Sequence, residues 1–230
     1  MSVKPSDFKG KRCRRWLLVG LSALAFALRV QGLSFQSLWR DEVDSIRFAG
    51  QPLPQLLHAF AAPGQNGPLY FLLLRPWLLV GGESEFSLRF FSAVFGVLAI
   101  PLVYRVSLRL FPRQAWAAVV AALLAATSPY LVWYSQEGKM YALLVAAVLL
   151  SVERLLAAMQ GGGWRRWLGY VMITSLACYI HLVSALIVPA QVPIFFALRG
   201  WSNRSARKAF VTSLGVLVIP YLPILIWQIQ

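Results

Sequence analysis

Of the eight carboxylates in this 230-residue chain, three fall within four positions, at Asp41, Glu42 and Asp44 of "SLWRDEVDSIR". Carboxylates this close can divide acid–base work, one taking a proton from a reacting hydroxyl while another holds a cation such as Arg40 or Arg47. Successive helix residues point about 100° apart, so Asp41 and Asp44 share a face and Glu42 looks elsewhere. Residue types alone equally allow an ordinary solvated helix start whose acids answer the helix dipole. A second constellation is "WYSQEGKMY", residues 133–141. Glu137 and Tyr141 stand four apart on one helix face, and Lys139 beside them supplies a cation for a phosphate. The alternative there is a capped helix start in an interfacial aromatic belt that includes Trp133 and Tyr134. Arg89, behind Glu83 and Glu85, is a phosphate ligand or a partner of those acids. His181 in "YIHLV" is a candidate metal ligand or proton carrier, or else a hydrogen-bonded structural residue. His58 is the one other histidine, which excludes a zinc site of several histidines. No Walker loop, GxGxxG or GxSxG pattern appears.

The elements that must position these groups are apolar. The chain is 59% hydrophobic and 13% charged, with mean hydropathy +0.64. That composition excludes a soluble globular domain and predicts an all-α, polytopic transmembrane helical bundle. The net charge of +14 is not a nucleic-acid footprint, because Lys and Arg sit in short clusters between apolar runs. Runs of the roughly 17 to 25 residues that a span needs cover Trp16–Leu33, Ser87–Leu108, Gln114–Tyr134, Lys139–Met159 and Phe210–Ile229. Between Arg166 and Arg199 lie 32 uncharged residues, about 48 Å as one helix. Basic residues at both ends make this run a hairpin of two short spans with its apex near residues 179–183.

Seven spans with a cytoplasmic N-terminus result, and the charges sort accordingly. Sixteen of the 22 Lys and Arg fall on the cytoplasmic side with Asp7 and Glu153, and six face six carboxylates on the other. The opening "KRCRRWLLVGLSALAFA" has the parts of a signal peptide, but with so many later spans it reads as an anchor. Cys13, in the basic segment, and Cys178, inside an apolar run, are not expected to pair. Residues 1–230 form one transmembrane domain, in which residues 34–86 are the first extracytoplasmic loop. Its "DEVDSIRFAG" predicts a short helix ended by Gly50 and the prolines 52 and 54, "APGQNGP" a break, and residues 69–80 a helix too short to span and suited to the interface.

Taken in order, the acidic pair, "NGPLYFLLL", "ESEFSLRFFSAVFG", "SQEGKMYALL" and "YIHLVSALIVPAQ" resemble the GT-C glycosyltransferases. The similar branch is family 39, which contains the protein O-mannosyltransferases and the aminoarabinose transferase of lipid A, and the likeness covers about residues 30–200. It implies an inverting enzyme of the plasma (inner) membrane that moves a sugar from a polyprenyl-phosphate to a hydroxyl of a lipid, glycan or protein acceptor on the outward side. It implies catalytic roles for Asp41 as base, Glu42 and Glu137, and substrate binding by Arg89, Lys139, Tyr141, Asn66 and Tyr70. Lys139 stands where Arg is commoner, and Asn66 to Tyr70 read "NGPLY" where the family often has "HPPLY". A divalent cation at the phosphate is compatible and not required, with His181 the remaining metal candidate. Family members usually have several more spans, so the chain is expected to be an N-terminal part, truncated at its C-terminus, or an inactive form. The competing classes are a noncatalytic scaffold and a transporter or lipid flippase. The latter calls for ionisable groups and broken helices at mid-membrane, whereas these acids cluster in the outward loops.

Overall fold

A computed structural model describes residues 5–59, 67–161, 163–198, 200–219 and 222, and no strand occurs among them. Helix α1 is Pro5–Val30; α2, Arg40–Gly50, and α3, Leu53–His58, follow it, separated by Pro52. Helix α4, Pro68–Gly81, starts after Gly67, whose φ of +82° and position against the Ile180 carbonyl both require a glycine. Helix α5, Glu85–Leu110, is capped by Ser84, whose hydroxyl accepts the Ser87 N–H at 3.2 Å. Then come α6 (Ala115–Thr127), α7 (Pro129–Ser135), α8 (Tyr141–Met159), α9 (Trp164–Ile180), α10 (Ile187–Ala197) and α11 (Arg204–Val218).

Helices α5 and α8 are each long and apolar enough to cross a membrane, and α6 with α7 makes a third crossing if the pair counts as one. The continuous span expected over Gln114–Tyr134 is corrected here: the chain bends by 56° between α6 and α7. Pro129 has no N–H to donate and drives Ser128 into an extended conformation, ψ 118°, so the helix must stop and restart. The expected hairpin apex coincides with the end of α9 at Ile180 and His181, and the short apolar helix expected over residues 69–80 lies within α4. Of the last expected span, α11 covers only the beginning; residues 220, 221 and 223–230 lie outside the described residues.

Helix α5 is the hub, packed on α8 along one side and on α1 and α6 along the other, while α8 passes the contact on to α9 and α9 to α11. Lipid tails are as apolar as leucine, so close approach through small residues, rather than exclusion of water, holds such helices together. Accordingly α6 buries Ala118, Ala122, Ala125 and Ala126 and leaves Val120, Leu123 and Leu124 outside. On α5 the contact is tightest at Gly96, where an added Cβ would overlap the Ser135 side chain and stand 3.0 Å from Arg29 Nε.

The break between α6 and α7 frees carbonyls that a membrane interior cannot hydrate. Arg29, 1% exposed in the last turn of α1, bonds to them. Its guanidinium donates to the Ala125 and Ala126 carbonyls at 3.2 and 3.0 Å, to Ser135 Oγ at 3.2 Å and to the Ala25 carbonyl at 3.2 Å. Gln136 returns the service, its Nε2 donating to the Leu28, Arg29 and Gln31 carbonyls at the end of α1. Arg29 in the last turn of α1 thus caps the end of α6, and Gln136 at the end of α7 caps the end of α1. Farther along, α8, α9 and α10 share a closed set of buried hydrogen bonds. Tyr170 donates to Gln191, Gln191 to Ser151, and Ser151 meets Thr174 at 2.7 Å. Near the opposite end of α5 and α8 from Arg89 and Tyr141, the buried Glu153 accepts from Arg105 at 2.8 Å and from Arg109 at 2.9 and 3.0 Å, with Arg154 3.4 Å away.

Candidate active site

The site is assembled at the start of α2, the start of α5 and the loop between α7 and α8. Trp39 enters α2 in an extended conformation, and three residues on Glu42 turns its carboxylate back toward the Trp39 N–H, 3.4 Å away. Glu42, Ser45 and Ala49 recur at helical spacing and form the buried face of α2. Asp41, one residue and about 100° round the helix, is exposed. Asp44 is half-buried and faces Arg47 across a loose 3.8 Å ion pair.

Glu42 is fully buried and ties three segments together. Its Oε1 accepts the Arg89 Nε–H at 2.9 Å and the Gly138 N–H at 2.8 Å, and its Oε2 accepts from Arg89 Nη2 at 2.6 Å. Arg89 turns its remaining donors to backbone: Nη1 to the Leu33 and Gln36 carbonyls, both at 2.8 Å, and Nη2 to the Ser37 carbonyl at 3.2 Å. A bidentate pair of this kind is among the strongest that side chains make. It also fixes the 33–37 segment over α5 and the 137–138 turn against α2. Gly138 is required at that turn, because a Cβ there would overlap Leu88. Arg75 on α4 plays a parallel part, donating to the Ala49 and Gln51 carbonyls at the end of α2.

Four residues singled out in the sequence converge beside this keystone. The charges of Asp41 and Lys139 both act on Glu137, and Tyr141 lies within the fields of Asp41 and Glu137. Burial raises the Glu137 carboxyl above the usual carboxylate range, the negative charges of Glu42 and Asp41 add to the rise, and the Trp133 N–H, donating to it at 2.9 Å, and Lys139 oppose it. The side chains of Asp41 and Lys139 have no hydrogen bond or ion pair among the described residues. Lys139's own backbone is fixed, its carbonyl accepting the Ser92 hydroxyl at 3.0 Å.

The remaining candidates have other surroundings. Tyr70 is fully buried in the core with Phe71, Leu74 and Phe91, its hydroxyl beside Ser92 and Ser45 and within the field of Glu42. His181 closes α9, and its Nδ1 accepts the Val183 N–H at 3.1 Å. Asn66 lies outside the described residues. No group of three His, Cys, Asp or Glu close enough to hold a metal ion occurs among the described residues.

Between residues 31–39 and residues 133–137 opens a cavity of about 420 Å³ whose lining includes Gln31, Gln36, Trp39, Trp133, Gln136 and Glu137, with Glu42 and Arg89 at its floor. Gln31 and Gln36 were not legible as site residues, because an isolated glutamine in a loop carries no pattern. Gln136 and Gly138 were hidden inside a motif whose charged members drew the reading.

A family model described as dolichyl-phosphate-mannose-protein mannosyltransferase matches residues 65–227. That segment contains Arg89, Glu137, Lys139, Tyr141 and His181, and the acidic pair at 41–42 precedes it. Comparison with curated proteins and with solved structures found no match.

Proposed function

Because the chain belongs to the dolichyl-phosphate-mannose-protein mannosyltransferase family, we propose that it is an integral membrane enzyme transferring a sugar from a polyprenyl-phosphate to an acceptor hydroxyl. The transfer takes place on the outward side of the plasma (inner) membrane. In this reading the chain crosses seven times with its N-terminus in the cytoplasm, and the carrier, a lipid, and the acceptor, a lipid, glycan or protein, meet at headgroup depth. Asp41 takes the proton of the acceptor hydroxyl as that oxygen bonds to the anomeric carbon. The bond from that carbon to the phosphate oxygen breaks on the opposite face with its electron pair, so the configuration inverts. Lys139 receives the negative charge gathering on the departing phosphate. Glu137 and Tyr141 border this path. Glu42 and Arg89 act one step back, as positioning residues.

One observation carries the assignment: the acidic pair divides into a saturated, buried Glu42 and an exposed Asp41 with no bonded partner, in electrostatic contact with Glu137. A base must be free to take a proton and a phosphate ligand free to give hydrogen bonds, and Asp41 and Lys139 meet those conditions. Arg89, whose donors all end on the chain itself, does not. The test is transfer of labelled sugar from a polyprenyl-phosphate donor in membranes carrying the full-length protein. Asp41→Asn should abolish transfer at unchanged protein level, and Lys139→Met should raise the KM for the donor. Undiminished transfer by Asp41→Asn sinks the assignment.

A further inference from the structure

The cavity beside Glu137 has a chemistry of its own. Large rings stand open around it: Phe35 is 89% exposed, Trp133 60% and Trp39 54%. Its polar lining is mostly uncharged, with Gln31, Gln36, Ser37 and Gln136. The side chains of Gln31 and Gln36 make no hydrogen bond among the described residues, and Gln136 uses only its amide nitrogen, in capping α1. The two charges at the floor cancel, since Glu42 and Arg89 satisfy each other and the neighbouring backbone. What remains is Glu137, whose carboxyl its surroundings push toward the neutral form.

Three ligand classes can be weighed against this lining. A phosphate would meet a carboxylate and no free guanidinium. A hydrocarbon chain would strip water from three amides, a hydroxyl and a carboxyl without replacing their hydrogen bonds. A neutral sugar ring answers both halves of the lining: its C–H face lies on indole, and its hydroxyl edge both gives and accepts hydrogen bonds among the glutamines. The indole of Trp133 is already fixed by its bond to Glu137, so little is lost in ordering it. The volume falls within the roughly 300–1,000 Å³ of small-ligand sites.

We propose that this cavity is a pyranose-binding subsite, with Trp133 as the stacking platform and Gln31, Gln36, Gln136 and Glu137 as hydroxyl partners. It deepens the glycosyltransferase reading and rests on it for the source of the ring, which is the transferred sugar of the donor or a saccharide acceptor. If the ring is the donor's, the site holds the anomeric carbon near Asp41; if it is the acceptor's, the enzyme extends glycans.

Saturation-transfer NMR on the full-length protein in nanodiscs, with methyl α-mannopyranoside and methyl α-glucopyranoside as probes, tests the subsite without relying on catalysis. Ring protons of at least one probe should saturate, Trp133→Ala should abolish the effect, and Trp133→Phe should keep it. Since Trp133 is exposed, the fold should survive both exchanges; Gln36→Ala, which leaves every aromatic ring in place, should weaken binding too. Absence of saturation with both probes overturns the subsite, as does competition by inorganic phosphate or by octanol. Where transfer is measurable, Trp133→Ala should raise one KM by roughly three- to tenfold, the size of a ring contact. A rise for the sugar-bearing donor, with binding of sugar-free polyprenyl phosphate unchanged, assigns the ring to the donor; a rise for a saccharide acceptor assigns it to the acceptor. Saccharide binding without any transfer in the wild type sinks the enzyme reading and leaves the subsite standing, and transfer without saccharide binding does the reverse.

Discussion

Asp41→Asn and Glu42→Gln make the same chemical change on neighbouring residues and should have opposite signatures. Asp41 is exposed and unbonded, so its loss should leave thermal stability unchanged while stopping transfer. Glu42→Gln leaves the Arg89 guanidinium buried without its counter-charge, a loss of about 3–5 kcal/mol for buried pairs, measurable as a large drop in unfolding temperature in nanodiscs. The double variant Glu42→Gln with Arg89→Met should recover part of that loss. If the single variant is as stable as the wild type, Glu42 is not the keystone described. Glu137 gives a pH-dependent case. Its folded-state pKa lies above its unfolded one, so its contribution to stability is complete below the unfolded value and fades as pH rises through the folded value. Glu137→Gln should therefore be more stable than wild type at neutral pH, with the difference vanishing toward pH 4, while losing transfer activity. The divergence of Asp41 from Glu42 was legible from helical geometry alone. The engagement of Arg89 was not, because its partners include the backbone carbonyls of residues 33, 36 and 37, and a carbonyl has no signature in sequence.

Elements with sharp hydropathy edges were legible almost to the residue: α5 and α8 follow the runs expected at Ser87–Leu108 and Lys139–Met159. The α6–α7 break was missed because the apolar run continues unbroken through Ser128 and Pro129, and hydropathy does not register a lost N–H. Packing there leaves no slack. Gly96→Ala should cost about 1–3 kcal/mol, the range for overpacked cores, since its Cβ would overlap Ser135 and crowd Arg29. Pairing it with Ser135→Gly should restore much of the loss; thermal unfolding of the single and double variants reads both. Gly96→Ala at wild-type stability means that α5 and α7 are less tightly packed than described.

For the whole molecule, the order of charged and apolar segments pointed to the all-helical architecture that the described residues have, and the family resemblance is borne out by the match over residues 65–227. The seven-crossing topology has its own check: a reporter fused after Gln160 should read cytoplasmic, and a periplasmic reading overturns it. A bent helix lined by a buried arginine is also a feature expected of transporters, but each nitrogen of Arg29 is already bonded within the chain. The capping of α1 by Gln136, at the end of α7, has a further consequence, for biogenesis. Gln136 lies 107 residues beyond Arg29, and at the ribosome's pace of about 5–20 residues per second the end of α1 waits several seconds for its cap. During that interval its carbonyls must stay hydrated at the bilayer surface or be held by the insertion machinery. Helix α1 is thus locked in place only once α7 has been made, and before α8 to α11 follow.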